Sequence, residues 1–139
     1  MALACLVALA LNGNAPPPAN LMVSVSGLRD ARGMVILCLT RRAEFLACDK
    51  DPARVTRIVP AGKAAVIDLA ALPPGDWSLL AIHDANRNGK LDRLMGIPRE
   101  GFAFSRNPAM RFGPPRLEQV RFALPEGESR QALTMKYLL

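Results

Sequence analysis

Apolar and polar residues alternate over Leu21–Ser26 (LMVSVS) until Gly27 interrupts them, the period-two pattern of a strand with one buried face. Met34–Leu39 (MVILCL) is apolar throughout and reads as a fully buried strand. The spacer between the two, residues 28–32, has the length of a hairpin loop. Arg41–Ala47 (RRAEFLA) holds helix formers and predicts a turn or two of helix with Phe45 and Leu46 facing inward. Arg54–Val59 (RVTRIV) and Ala64–Leu69 (AAVIDL) flank Pro60-Ala61-Gly62, a second hairpin signal. Leu72-Pro73-Pro74-Gly75-Asp76 is a turn, and Trp77–Ile82 is a strand that leads straight into His83-Asp84. From Asp84 to about Val120 neither alternation nor a helical stripe persists. Gly89, Gly96, Gly101, Gly113, Pro98, Pro108, Pro114 and Pro115 punctuate that stretch, while Phe102, Phe104 and Phe112 predict that it is ordered and buries its aromatics. Arg121–Leu124 and Ala132–Leu138 supply the last strands, joined by the polar turn Pro125–Ser129. About seven strands in a meander predict an all-β fold, an antiparallel two-layer sandwich (Ig-like or transthyretin-like) with a short helix and a long ordered loop.

The 139 residues suit a single domain, and twelve prolines, ten glycines and 5% aromatics disfavour a helix bundle. A net charge of +6 favours anionic partners such as nucleic acid, anionic lipid or an acidic glycan. The excess is mostly arginine spread along the chain, with neither a basic arm nor an aromatic ladder, which argues against nucleic acid. An envelope protein, a glycan or a small ligand remains as the expected partner.

The first charged residue is Arg29. Met1–Leu11 is an apolar run of eleven, too short for a transmembrane span but matching the apolar core of a signal peptide. Residues 1–19 therefore read as a signal-like segment and proline linker, and 20–139 as the β-sandwich domain; the alternative is a buried N-terminal strand or helix. Export, to the periplasm, is the expectation. Cys5 would leave with the signal, so Cys38 and Cys48 remain to form a disulfide, the alternative being two buried reduced thiols.

One loop carries candidate chemistry. Asp84, Asn86, Asn88 and Asp92 offer side-chain oxygens at relative positions 1, 3, 5 and 9, with Gly89 at position 6 and the carbonyl of Lys90 at position 7. That is most of a calcium-loop template, because alternate side chains in a tight turn converge on one point. Position 12 is Met95, which cannot close the site, so Glu100 is the nearest carboxylate for a sixth ligand and millimolar to sub-millimolar affinity is expected. The alternative is a set of Asx turns that cap the loop without metal. His83 is the single histidine, which excludes His-rich zinc catalysis, and it points away from Asp84 if the strand continues. It is expected to anchor the long loop by hydrogen bonds; the competing assignment is a hydrolase using His83 with Asp84, Asp92 and Glu100. Nothing around Ser105 resembles a nucleophile elbow. No catalytic residue is assigned, and the chain leans toward a non-catalytic module.

The run Leu72-Pro-Pro-Gly-Asp-Trp77, then Ile82-His-Asp-Ala-Asn-Arg-Asn-Gly-Lys-Leu-Asp92, Gly96–Ser105 and Phe112-Gly-Pro-Pro115 resembles the DUF2141 proteins of Gram-negative bacteria, over roughly Leu21 to Leu138. Family members carry Tyr where Phe102 stands, Gly where Ala103 stands and an Asn pair where Arg106-Asn107 stands, which puts any role of position 106 in doubt. The resemblance implies an exported small β-sandwich of uncharacterised function and supplies no catalytic residues. The Leu-Pro-Pro-Gly turn into an aromatic strand is also similar to transthyretin-like and carboxypeptidase-regulatory-like modules, which mostly bind or scaffold.

Overall fold

The computed structural model describes residues 17–89, 93–94, 97–98, 100–110 and 113–138. The expectations placed on the signal-like residues 1–16, on Lys90 and Asp92, and on Phe112 lie outside the described residues. In chain order the strands are β1 (Ala19–Ser26), β2 (Met34–Thr40), β3 (Val55–Pro60), β4 (Val66–Leu72), β5 (Gly75–Asp84), β6 (Arg93–Leu94), β7 (Ile97–Pro98), β8 (Gly101–Phe104), β9 (Phe122–Leu124) and β10 (Gly127–Thr134). A one-turn helix α1 (Leu117–Val120) and two 3-10 turns, Phe45–Lys50 and Ala61–Lys63, complete the described elements.

The strands form an all-β sandwich. One sheet has the order β10-β1-β4; the other runs β3-β2-β5-β8, with β9 pairing the first residues of β5, and β6 and β7 pair only with each other. Every second residue of β1 and β2 is buried, and Leu21, Val23, Val35, Leu37, Leu39, Ile67, Leu69, Trp77, Leu79 and Leu133 meet between the sheets. Each such aliphatic removed from water stabilises the fold by roughly 1.5–3 kcal/mol.

The connectivity is not a meander. β1 pairs with β4 and β10, whereas β2 pairs with β3 and β5, so the 27–33 and 61–65 connections cross between sheets instead of closing hairpins. Both connections are long enough to cover the roughly 10 Å between packed sheets. The β1–β10 pair runs parallel, from Ala19↔Gly127 to Ser26↔Thr134, and so joins the first and last strands of the sandwich. β10 therefore starts at Gly127, inside the segment expected to be a turn. Its exposed first half explains the polar sequence there.

The irregular stretch after Asp84 also contains a strand. β8 pairs with β5 from Leu80↔Phe104 to His83↔Gly101. All four of its residues are buried, so it has no alternation to detect. Ala103 joins the main core, while Phe102 and Phe104 pack outside the sheet with Phe45 and Val120. Both phenylalanines are thus buried as expected. Phe45 meets Phe104 edge-on with ring centroids 5.8 Å apart, but Leu46, expected to face inward, is 52% exposed. The backbone there is a 3-10 turn from Phe45, and the Cys38–Cys48 disulfide, with Cα atoms 6.2 Å apart, fastens it to β2.

Candidate functional site

Several connections meet at the end of the sandwich where β1 and β5 finish and β2 begins. Gly33 is fixed there by two contacts. Its carbonyl accepts the Ala61 N–H at 3.0 Å, and its φ of +69° packs the bare Cα side against the Asp84 carbonyl, where a Cβ would collide. On the opposite flank Gly101 leaves room for the Tyr137 ring, whose atoms would lie 2.6 Å from a Cβ at that position. The Phe102↔Lys136 bridge carries the chain to Tyr137.

His83 is the hub of this end. It is 1% exposed and uses both ring nitrogens. Nε2 lies 2.7 Å from the Arg32 carbonyl and Nδ1 lies 2.7 Å from the Tyr137 hydroxyl. A carbonyl can only accept, so Nε2 carries a hydrogen and donates to Arg32, while Nδ1 is engaged by the Tyr137 hydroxyl. Tyr137 in turn accepts the Arg29 N–H at 3.2 Å, and the Arg29 guanidinium lies 3.9 Å from its ring centroid. The sequence reading placed His83 as an anchor for the long loop. Its ring instead ties β5 to the β1–β2 connection and to the C-terminal segment, because alternation along β5 turns it to the inner face. Asp30 stands 3.8 Å from Nε2, and the Arg32 side chain, then the Arg32 backbone N–H, hold its carboxyl below the usual carboxylate range.

Asp84 points to the other face and is 2% exposed. Its Oδ1 accepts the Asn88 N–H at 3.1 Å and its Oδ2 the Gly89 N–H at 2.7 Å, while Asn86 Oδ1 also accepts from Asn88 at 3.2 Å. Arg87 closes the turn on the Asp84 carbonyl with a φ of +60°. The first half of the candidate calcium loop is therefore wound around the Asp84 carboxylate. Among the described residues, each of its oxygens accepts one backbone N–H. Glu100 is 8% exposed and immediately precedes Gly101, the partner of His83, so the register brings it beside Asp84 at the ends of neighbouring strands. Of the residues expected to bind calcium, Asp84, Asn86, Asn88 and Glu100 are thus gathered at this end.

Two polar centres at the opposite end carry no signal in the sequence. Ser105 is fully buried, donates to the Val120 carbonyl at 2.5 Å and accepts the Leu79 N–H at 3.1 Å. Asp51 is 4% exposed, takes the Thr40 hydroxyl at 2.6 Å and the Ala53 N–H at 2.9 Å, and pairs with Arg42 at 3.4 Å. The Thr40 hydroxyl, the Ala53 N–H and the nearby Arg42 and Arg54 cations hold its carboxyl below the ordinary range. Ser105 gains its role from Leu79 of β5 and Val120 of α1, and Asp51 from Thr40 at the end of β2, Arg42 and the nearby Ala53 N–H.

A protein family described as "Uncharacterized protein conserved in bacteria" (DUF2141) matches residues 23–132. The chain belongs to this family. No curated protein and no solved structure matched it. The DUF2141 match runs from within β1 to within β10 and takes in Arg29, Arg32, His83, Asp84 and Glu100, while Tyr137 lies beyond it. Among the described residues no helix is long and apolar enough to cross a membrane.

Proposed function

We propose that this DUF2141 chain is an exported, non-catalytic binding module of the bacterial envelope, with the His83 end of the sandwich as its ligand face and calcium stiffening the Asp84–Asp92 loop. The observation that carries the reading is the double engagement of His83. A general base needs a free lone pair within reach of substrate, and both ring nitrogens of His83 are engaged, by the Arg32 carbonyl and the Tyr137 hydroxyl, inside a 1% exposed side chain. That favours the module over a hydrolase built on His83 with Asp84, Asp92 and Glu100. The Cys38–Cys48 disulfide supports an oxidising compartment. Binding surfaces carried on loops above a rigid β scaffold are the common arrangement in such modules.

Calcium draws support from the Asp84 carboxylate, prewound by the Asn88 and Gly89 N–H groups with Glu100 alongside. Melting curves test it. At millimolar affinity, about ten-millimolar calcium stabilises the native state by about 1.4 kcal/mol, a rise of roughly 4 °C. Asp84→Asn and Asp92→Ala should each abolish the calcium-dependent rise, whatever they do to the melting temperature in its absence. Magnesium should substitute poorly, because it demands a tighter octahedral shell. An unchanged melting curve in calcium, identical for wild type and both variants, would leave the loop as a set of Asx turns.

A further inference from the structure

The two lateral sides of the sandwich are finished differently. On one side β10 lies beside β8, and part of its outer edge is already taken. The Asn107 side chain donates to the Ala132 carbonyl at 2.7 Å and accepts the Thr134 N–H at 2.9 Å, the bonds that a further strand would make. The Phe102↔Lys136 bridge continues that seal toward Tyr137. On the other side β3 and β4, joined by the 61–65 connection, are the edges of their sheets, and among the described residues no strand lies beyond either. An edge left open is a template for any strand of matching pattern.

These two edges match each other. The Ala61 N–H donates to Gly33 at 3.0 Å, so alternation turns the backbone groups of Pro60, Ile58 and Thr56 away from β2. Pro60, which has no N–H, thus occupies an outward place. The Ala65 carbonyl accepts the Val25 N–H at 3.3 Å, so Val66 and Asp68 turn their backbone groups away from β1. The same residues carry their side chains on the outer faces, while Ile67 and Leu69 between and beside them enter the core. Ile58 and Val66 are each 55% exposed, two of the four large aliphatics that stand out among the described residues. Ile58 lies opposite Ile36, two residues into β2, and Val66 opposite Ser24, two residues before β1 finishes, so both stand at one height. β3 runs toward the His83 end and β4 away from it. β3 carries Arg57 and β4 carries Asp68, so pairing one with the other joins opposite charges, whereas pairing like edges would join like charges.

We infer that two copies of this chain associate side by side about a two-fold axis parallel to the strands, β3 of each pairing antiparallel with β4 of the other. Val66 then lies opposite the partner's Ile58 and Asp68 opposite the partner's Thr56. At both places outward backbone groups meet outward backbone groups, so each pair exchanges its N–H···O bonds. The exposed aliphatics cover one another twice, and the β10-β1-β4 sheet of one copy continues into the β3-β2-β5-β8 sheet of the other. β3 and β4 supply thirteen residues a side, short of the roughly 20–30 of a standard interface. Arg57 also faces the seam from both sheets, an inward charge that opposes tight pairing. The dimer is therefore a reversible one of micromolar affinity. Its axis turns both His83 ends the same way. That consequence, two ligand faces side by side, rests on the binding-module reading, whereas the strand pairing does not.

Sedimentation equilibrium of the oxidised full chain, from about 1 to 300 μM, tests the pairing. The native chain should pass from monomer to dimer across that range. Ile58→Glu and Val66→Lys should each raise the dissociation constant at least about tenfold, because each sets a charge against an aliphatic of the partner at two places. Combined in one chain, the two substitutions put opposite charges face to face at both seams and should recover most of the lost affinity. Leu46→Ser, at an exposed aliphatic of the Phe45–Lys50 turn, should change nothing. Melting temperatures at the dilute end, where every variant is monomeric, report the fold separately. A monomer throughout the range would overturn the inference, as would a dimer that ignores both single substitutions. A combined variant no tighter than the single ones would also overturn it, because like edges, β3 with β3 and β4 with β4, would then be the ones that meet.

Discussion

Replacing Ser105 by alanine isolates the price of one hydroxyl in a dry site. The Ser105 N–H already bonds the Leu79 carbonyl at 2.9 Å, and its Oγ takes the Leu79 N–H in return, so this one residue closes both backbone groups of Leu79 after β8 has ended. The hydroxyl hydrogen satisfies the Val120 carbonyl behind α1. Ser105→Ala strands one N–H and one carbonyl at a residue that is 0% exposed. A stranded buried group costs about 1–3 kcal/mol, the carbonyl less than the N–H. The expected loss is about 2–4 kcal/mol, a large share of the roughly 5–15 kcal/mol that holds a typical domain. At about 3 °C per kcal/mol the melting temperature should fall by roughly 6–12 °C.

Ser26→Ala is the matched control, the same chemical change at an exposed hydroxyl whose bonds to Leu133 and Thr134 are both 3.4 Å long. Its effect should stay within about 0.5 kcal/mol. Urea titrations of the disulfide-intact proteins measure both, with unchanged m-values showing that the same surface is exposed in each case. A loss below about 1 kcal/mol for Ser105→Ala, or one equal to that of Ser26→Ala, would refute the reasoning. It would mean that Leu79 N–H and the Val120 carbonyl find other partners, and Ser105 would no longer count as a structural residue.

Reducing the Cys38–Cys48 disulfide, which closes a separation of 10 residues, should lower stability by about 2.7 kcal/mol in the chain-entropy treatment. Matching urea midpoints for oxidised and reduced protein would contradict that. Asp51 sets an acid limb: with its folded pKa lowered, its contribution is complete above the unfolded value near 3.8 and disappears as pH falls through the lower folded value. Melting temperature against pH should therefore drop below about pH 4, and Asp51→Asn should flatten that drop; identical acid limbs would show that other carboxylates set it.

Much of the scaffold could be read in the chain. β1, β2, β3 and β5 begin or end within a residue or two of the runs that predicted them, since each has one face in the core and keeps a period of two or a continuous apolar run. Pairing was less legible. Nothing local to Leu21–Ser26 says that its neighbours are β4 and β10, and the short spacers before β2 and β4 mimic hairpins while crossing between sheets. β8 escaped because a strand covered on both faces has no polar phase. The candidate site divides the same way. Asp84 and Asn86 were visible as oxygens at alternate positions, and the turn brings both onto the Asn88 N–H. The bonds of His83 to Arg32 and Tyr137 span 51 and 54 residues and carry no spacing rule.

The charge distribution shows most plainly what folding adds. Along the chain the arginines and lysines look evenly spread, and that spread argues against nucleic acid. In the fold, part of them is drawn into structure: Arg41 donates to the Pro74 carbonyl and covers Trp77, Arg42 pairs with Asp51, Arg54 donates to the Asp51 carbonyl, and Arg106 donates to the Glu118 carbonyl. These contacts cluster toward the end where β2 finishes and β5 begins, where the cations serve as braces for backbone carbonyls. At the His83 end Asp84 is drawn inward by its own loop, while the partly exposed Asp30 pairs with Arg32 and Arg29 covers Tyr137. A sum of charges cannot express that division, because it depends on which sign each end spends on holding its own backbone. The hydrogen bonds that fold the loop are thus also what takes the Asp84 carboxylate off the surface.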